Sequence, residues 1–470
     1  MNNSLLLRSL KQLSAKERKG FGEYLRCGLF NRRDSVTALA DHLLARIARP
    51  EGTALQPEAL FAAAFPERRD YDYAALRHTM SYLLEALRNY LALLEFQQDP
   101  ENRQQTTVRA FRRRGMDLLF DQSLEKASAH NDKAGARDAR YHYRQYQLLQ
   151  EKMEYTALHE RSTGLNPGAL PDQLTTYYVA EMLRHACTAL MYQAVVGQEQ
   201  QIKLLDAILG VVHEQAMLDT PAVAVYYHAY RMLRMPEENE AFFTLKQLLQ
   251  THEQRFSAGE LRSLYLIAIN GCIRRMNAGQ RDFIREAFEV YKTALERQFL
   301  LENGFISTFT YKNVIRLGSA LGEDEWTARF AEQYRAALPP RERENAYLYN
   351  RAFLYFQQSD YARAMVLLRQ ISLEDPLNDL HARRMLVRSY MELGEYQALE
   401  SLLQSFGSLL RRKKNLGYHR DLNLRFVHFV QRLMKLPARD ADARAALREA
   451  ISAEKEVAER EWLLGRLSAP

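Results

Sequence analysis

The chain has 470 residues, which corresponds to two to four domains unless it is built from repeats. Apolar residues make up 47% of it, and glycine (20) with proline (13) only about 7% against roughly 12% in average proteins, so long helices with few turns are predicted. The net charge is +7, the longest apolar runs fall far short of the roughly 20 residues of a membrane-spanning helix, and three widely spaced cysteines exclude a disulfide scaffold.

Residues 1–98 carry the start signals of a compact bundle of about five helices. Ser14 and Glu17 form a capping box, which predicts a helix over about 15–27. Apolar residues spaced three and four apart predict a longer helix from about Tyr73 to Phe96. Further helix starts are indicated at Asp34-Ser35 and at Pro57, and Asp99 to Asn102 closes the bundle.

The rest of the chain divides into three predicted segments. Residues 99–205 contain three long connecting helices, with breaks near His130 to Asp132 and at Gly164 to Gly168. Residues 206–440 follow as a series of helix pairs, in which each helix has about 15 residues, and they show no strand pattern. The starts and stops within it include Thr220-Pro221 and Pro339-Pro340. Residues 441–470 are predicted to form a capping helix, from about 441 to 467.

A period of 35 residues recurs in the C-terminal half. At that spacing an acidic residue is followed by an aromatic one, each time after a predicted turn and at the start of the second helix of a pair. The pairs are Glu325-Trp326, Asp360-Tyr361 and Glu395-Tyr396, and the matching positions around them are Tyr355 and Tyr390, Ala352 and Val387, Ala364 and Leu399, and Leu368 and Leu403. Such a period indicates stacked repeats that share their apolar core with their neighbours.

These residues resemble the tetratricopeptide repeat. The stretch from Asn345 to Pro376 matches well, with the small Ala352 on the first helix and Pro376 closing the unit. The unit from 380 to about 410 is a degenerate copy, because bulky residues stand where small ones are usual. Looser units lie at about 221–254, 257–299 and 307–337. The resemblance implies an all-α solenoid of about five helix pairs over residues 206–440, attached to an N-terminal helical bundle.

Both ends of the chain resemble a second group of proteins. The N-terminal Gly28-Leu-Phe-Asn-Arg-Arg33 and the C-terminal Glu461-Trp-Leu-Leu464 are similar to the ends of helical-repeat proteins from Bacteroidota genomes. That resemblance implies no activity.

The sequence lacks the motifs of common enzymes. Glycine-rich phosphate-binding loops, Gly-x-Ser-x-Gly and His-Glu-x-x-His are all absent. Acidic residues do follow histidines, as at His159-Glu160, but adjacent residues point to different faces of a helix, and ordinary surface histidines explain them. We therefore expect a protein without enzymatic activity, cofactor or metal. The N-terminus shows no secretion signal, and we expect a cytoplasmic protein with no membrane partner.

Positive charge is concentrated in three places. Residues 405–439 carry nine basic residues against one acid, residues 1–50 carry ten against four, and Arg112 to Arg114 form a third cluster. The basic patch of the first region is Arg411, Arg412, Lys413 and Lys414, and the candidate nucleic-acid contacts of the second are Lys16, Arg18 and Lys19. Solvated helix faces would explain this segregation, and so would a nucleic acid or an acidic protein partner.

The tetratricopeptide resemblance also implies a contact surface, because the first helix of each pair lines a concave groove in that family. The corresponding residues are Tyr349, Asn350, Phe353 and Phe356 in one unit, and His381, Arg384 and Arg388 in the next. Aromatic rings beside two arginines suit an extended peptide with an acidic group. The match to the family's carboxylate clamp is incomplete, since Met385 stands where a second polar residue belongs. Packing against a neighbouring helix is the alternative for these side chains.

The sequence therefore predicts a non-enzymatic scaffold that binds a protein or peptide through this groove. The alternative is a regulator whose basic N-terminal bundle contacts DNA or RNA while its repeats sense a peptide or protein.

Overall fold

The chain is almost entirely α-helical in the computed structural model, as its composition predicts. The structure describes residues 4–48, 56–159, 166, 168–197, 201–372, 375–413, 416–437, 440–454 and 456–468. Within them, no helix is long and apolar enough to cross a membrane.

The helices of the N-terminal part follow the predicted starts closely. They are α1 (Leu5–Gln12), α2 (Ala15–Arg26), α3 (Asp34–Ile47), α4 (Pro57–Ala64), α5 (Tyr73–Gln98), α6 (Pro100–Arg112), α7 (Asp117–Lys133), α8 (Ala139–His159) and α9 (Ala169–Val196). The capping box is confirmed, because Ser14 Oγ accepts from the Glu17 amide at 3.2 Å and the Glu17 carboxylate accepts from the Ser14 amide at 2.7 Å.

Shorter helices make up the remainder. They are α10 (Leu205–Glu214), α11 (Pro221–Arg234), α12 (Glu240–His252), α13 (Ala258–Asn277), α14 (Phe283–Glu296), α15 (Thr308–Ala320), α16 (Asp324–Gln333), α17 (Arg343–Gln357), α18 (Tyr361–Leu368), α19 (Pro376–Leu393), α20 (Tyr396–Arg412), α21 (Tyr418–Met434), α22 (Ala441–Ala453) and α23 (Arg460–Ser468). As the 35-residue period predicts, Tyr361 and Tyr396 each open the second helix of a pair, and Trp326 lies in the first turn of α16.

Three sequence predictions need correction. The region predicted as three long helices contains four, because the chain turns at Gly115, which adopts φ +63°, between α6 and α7. The single C-terminal helix is two helices, α22 and α23, separated by a turn in which Glu459 adopts φ +55°. A short antiparallel hairpin, β1 (Leu301–Glu302) and β2 (Phe305–Ile306), was not predicted. The predicted break at Gly164 to Gly168 lies mostly outside the described residues.

The described chain divides into two compact units. The first comprises Met1–Ala134 and Tyr143–Leu174, and the second comprises Gly135–His142 and Thr175–Pro470. In the first unit, α1 to α5 enclose an apolar core that includes Phe21 and Leu83, and a smaller cluster forms around Phe120.

In the second unit, consecutive helices pack as neighbours: α11 on α12, α13 on α14, α15 on α16, α17 on α18, and α19 on α20. First helices of these pairs also meet, α11 with α13, α15 with α17, and α17 with α19. One apolar core runs from Ala139 to Met385, and a second runs from Leu380 to Leu467. Helix α19 contributes to both cores. Helices α15, α17 and α19 pack in succession, α15 against α17 and α17 against α19, next to the place where the two cores meet.

Candidate functional site

Helices α17 and α19 bring three of the predicted groove residues together. Tyr349 and Phe353 lie four residues apart on one face of α17, and the ring centroid of each is 6.1 Å from the imidazole of His381 on α19. Helix α15 contacts α17 from the other side. The peptide-binding role of these residues stays a prediction, whereas their clustering is a property of the fold.

A chain of hydrogen bonds connects the three helices. Arg316 Nη2 of α15 donates to Tyr349 Oη at 3.0 Å, and Tyr349 Oη lies 3.0 Å from His381 Nδ1. A guanidinium only donates, so the Tyr349 oxygen accepts from Arg316, and the direction of the second hydrogen bond depends on the tautomer of the His381 ring. Arg316 therefore orients Tyr349, and Tyr349 orients His381.

His381 is neutral at physiological pH. Burial and, to a smaller extent, nearby positive charges lower its pKa to about 3. Those charges are Arg316, Arg384, Lys312 and Arg388. The repeat pattern of the sequence predicts Arg384 and Arg388 beside His381 but does not predict the pair on α15. The sequence signal for that pair is the spacing of Lys312 and Arg316, four residues apart on one helix face.

The two predicted arginines of α19 already hold a carboxylate of the same chain. Arg384 Nε lies 3.0 Å from Glu459 Oε1, and Arg388 Nη1 lies 2.8 Å from Glu459 Oε2. Arg384 Nη1 also donates to the buried Asn423 Oδ1 at 3.1 Å. Glu459 belongs to the turn between α22 and α23, so the C-terminal cap places an acidic side chain at this end of the groove. Sequence reasoning had no local signal for a contact across more than 70 residues.

The cations of α15 have no such carboxylate among the residues described. Lys312 Nζ donates to Asn378 Oδ1 at 3.3 Å and lies over the ring of Phe309. The Arg316 guanidinium lies 5.2 Å from the ring centroid of Phe353, and its Nε is buried without a hydrogen-bond acceptor. A buried donor without an acceptor is unusual in a folded protein and calls for an explanation such as a ligand or a water.

Two neighbouring cavities occupy this region. The smaller, of about 220 Å³, is lined by Lys312, Arg316, Leu377, Asn378, Leu380, His381, Arg384 and His419. The larger, of about 600 Å³, shares Lys312 and Asn378 with it and extends along α17 past Tyr349 and Asn350. Asn350 is buried, donates to Ala346 O at 2.8 Å, and leaves its Oδ1 without a donor. The two cavities share lining residues on α15 and α19, and we call them together the α15–α19 groove.

Three of the predicted groove residues, Phe353, Phe356 and Arg388, line neither cavity. The rings of Phe353 and Phe356 are buried, and the Arg388 guanidinium lies 4.6 Å from the centroid of Phe356. Phe356 therefore packs against an arginine and does not face a ligand in either cavity.

The predicted basic patches have a different character from the groove. Lys16 and Lys19 are exposed on α2, whereas Arg18 is half-buried and donates to Lys11 O. Arg411, Arg412 and Lys413 are exposed at the end of α20, and Lys414 lies outside the described residues. In the third cluster, Arg112 is engaged, because it pairs with the carboxylates of Glu151 and Glu154.

Within the described ranges, no group of three or more His, Cys, Asp or Glu side chains is arranged to hold a metal ion. Comparison of the chain with protein-family models, with curated proteins and with solved structures finds no match in any of the three.

Proposed function

We propose that α11 to α20 form a solenoid of tetratricopeptide-like helix pairs, and that the α15–α19 groove binds an extended acidic peptide segment of a partner protein. The proposed role is binding without catalysis. The sequential packing of the pairs supports the first part, since each pair shares its apolar core with the next.

One observation carries the second part: Lys312 and Arg316 line the groove and make no ion pair with a described carboxylate. A hydrogen bond to a charged donor contributes about 1.5–3 kcal/mol, so a ligand that supplies the acceptor gains that free energy. Carboxylate and carbonyl oxygens of a peptide are such acceptors.

The walls of the groove also suit an extended chain. Phe309, Tyr349 and Asn350 border the larger cavity. Aromatic rings beside well-placed polar groups are the usual lining of peptide-binding grooves. The positive charge of Lys312 and Arg316 selects peptides with acidic side chains.

Selection from a library of random displayed peptides tests this proposal. The wild-type chain should enrich peptides rich in Asp and Glu, and the double variant Lys312→Glu, Arg316→Glu should lose that enrichment. Arg411→Glu is the matched control, because it reverses a charge on the exposed end of α20. Equal enrichment by wild type and the groove variant, or no enrichment by wild type, would contradict the proposal.

A second candidate function is nucleic-acid binding by α2, favoured by the exposure of Lys16 and Lys19 on one helix. Binding of DNA or RNA oligonucleotides should then weaken steeply between about 50 and 200 mM salt, and should disappear when Lys16, Arg18 and Lys19 are changed to Gln. Binding that is insensitive to both changes would exclude this role for α2.

A further inference from the structure

The smaller cavity of the α15–α19 groove is lined by three cationic side chains and by no carboxylate of the described residues. The cations are Lys312, Arg316 and Arg384, and the polar side chains beside them are Asn378, His381 and His419. Arg384 Nη2 makes no hydrogen bond to a described residue, and the Asn378 amide oxygen already accepts from Lys312. Ammonium and guanidinium groups only donate, so the site fits a ligand that accepts, which is an oxyanion.

We propose that this cavity binds a phosphate group, carried by a phosphorylated side chain of the peptide that the groove binds; the peptide part of this inference rests on the function proposed above.

The local charge favours a dianion. Three cations line the cavity, namely Lys312, Arg316 and Arg384, and Glu459 pairs with Arg384. Lys312 and Arg316 make no ion pair with a described carboxylate, so two positive charges of the lining are unpaired. A phosphate monoester carries a charge of about −1.5 to −2 at neutral pH and matches this excess, whereas one carboxylate neutralises half of it.

Neither nearby carboxylate is available to neutralise the cations of α15. Asp375 caps α19, with Oδ1 accepting from the amides of Leu377 and Asn378, and Oδ2 accepting from the Asn378 side chain. Glu459 is held by Arg384 and Arg388. Lys312 and Arg316 are left to contact the ligand.

The number of donors also favours phosphate over carboxylate. A phosphate group has three terminal oxygens and can accept from Lys312, Arg316 and Arg384 at once, whereas a carboxylate has two oxygens in one plane. The cavity volume of about 220 Å³ accommodates a phosphate group together with bridging waters, each of which takes about 30 Å³ of liquid.

Inorganic phosphate tests the anion site without any peptide. Titration calorimetry of the full chain should show saturable binding that becomes about tenfold weaker or more in Lys312→Gln and in Arg316→Gln, since each removes a charge-assisted hydrogen bond. Arg411→Gln is the control and should bind as the wild type does. Circular dichroism and the thermal midpoint show whether each variant is folded, and Lys312→Gln, at a partly exposed position, is expected to fold normally. Absence of phosphate binding by the wild type, or equal binding by all folded variants, would overturn the phosphate site.

A matched set of peptides distinguishes the two possible sources of phosphate. The set consists of an acidic peptide enriched by the groove, the same peptide with a phosphoserine, and the same peptide with Glu at that position. The phosphopeptide should bind at least tenfold more tightly than either of the others and should compete with inorganic phosphate. If inorganic phosphate binds but the phosphopeptide binds no better than phosphate alone, the anion site is confirmed for free phosphate and the peptide proposal is contradicted. If the unphosphorylated peptide binds as tightly as the phosphopeptide, the groove is confirmed and the phosphate proposal is overturned.

Discussion

Two arginines on first helices of the second unit occupy opposite kinds of environment. Arg275 of α13 is fully buried, and each of its three guanidinium nitrogens donates to an oxygen. The acceptors are Asn239 Oδ1 at 3.1 Å, Met232 O at 3.1 Å, Gly271 O at 3.3 Å and Glu238 O at 2.7 Å. Three of them, Met232, Glu238 and Asn239, lie at the end of α11 and in the turn that follows it, so Arg275 joins successive pairs and each of its nitrogens has an acceptor.

Arg316 of α15 is half-buried and borders a cavity, and its Nε has no acceptor. One of its hydrogen bonds, to Tyr349, orients a residue of the groove. Arg275 is therefore a framework residue that joins helices, whereas Arg316 borders a cavity and makes no ion pair with a described carboxylate.

Replacing each arginine by methionine should give the largest contrast. Arg275→Met removes the donor of four hydrogen bonds, and we expect it to lower the free energy of unfolding by about 2–4 kcal/mol, since each contributes about 1 kcal/mol. Arg316→Met removes the hydrogen bond to the neutral Tyr349 hydroxyl and relieves repulsion among neighbouring cations. We expect it to lower the free energy of unfolding by about 1 kcal/mol or less. Urea unfolding followed by circular dichroism measures both. Equal losses would show that Arg316 is a framework residue too, which would contradict its assignment to the site.

The two regions should also differ in their tolerance of a methyl group between helices. A Cβ at Gly318 of α15 would overlap Thr327 Oγ1 and lie 3.1 Å from Phe288 Cε2. Thr327 is fully buried, and its hydroxyl donates to Glu323 O at 2.6 Å, so it is locked in place. Overpacking of this kind costs about 1–3 kcal/mol, which we expect for Gly318→Ala.

Gly271→Ala of α13 is the matched variant. Its new methyl group would meet only the side chain of Met232, which is flexible, and alanine gains about 1 kcal/mol in helix propensity over glycine. The two substitutions should therefore differ in thermal midpoint, with Gly318→Ala the lower. The opposite order would mean that the packing behind the groove is looser than its contacts indicate.

Removing the carboxylate at the end of the groove should change affinity more than stability. Glu459→Gln frees the charges of Arg384 and Arg388, and we expect phosphate to bind several-fold more tightly because the cavity becomes more positive. Glu392→Gln is a close control: its carboxylate is exposed to the same extent, 21%, and holds Trp462 and Arg466 of the same cap, away from the cavity. Calorimetric titration with phosphate compares the two. A gain in both variants would reflect net charge alone.

Features set by neighbouring residues could be predicted from the sequence. The capping box at Ser14, the helix start at Pro57 and the aromatic residues that open α18 and α20 depend on contacts within one turn, and the structure confirms them. The number of helices after residue 99 was underestimated, because one glycine, Gly115, reverses the chain without a proline or a polar cluster to mark it.

The site was only partly predictable, because it is assembled across long sequence separations. The repeat period located Tyr349 and His381, whereas the hydrogen bond from Arg316 to Tyr349 depends on how α15 packs against α17. The contact of Glu459 with α19 depends on a turn between α22 and α23 that carries no glycine. A local pattern contains no information on which carboxylate reaches which arginine.

The smallest expected effect concerns His381, whose protonation should not change between pH 8 and about 5. It is also the most specific test of the groove. This histidine faces Lys312 and Arg316 of α15, Tyr349 of α17, and Arg384 and Arg388 of its own helix. Its pKa of about 3 lies below the unfolded value of about 6.5, so between these values the unfolded chain binds the extra proton. The contribution of His381 to stability is therefore present above pH 6.5 and is lost as the pH falls towards 3. Two-bond ¹H–¹⁵N spectra should show a neutral His381 ring with unchanged shifts from pH 8 down to about 5, while exposed histidines such as His78 serve as the internal comparison. A His381 that titrates near pH 6.5 would mean that the four cations do not converge on it, and the excess positive charge on which the phosphate site depends would be absent.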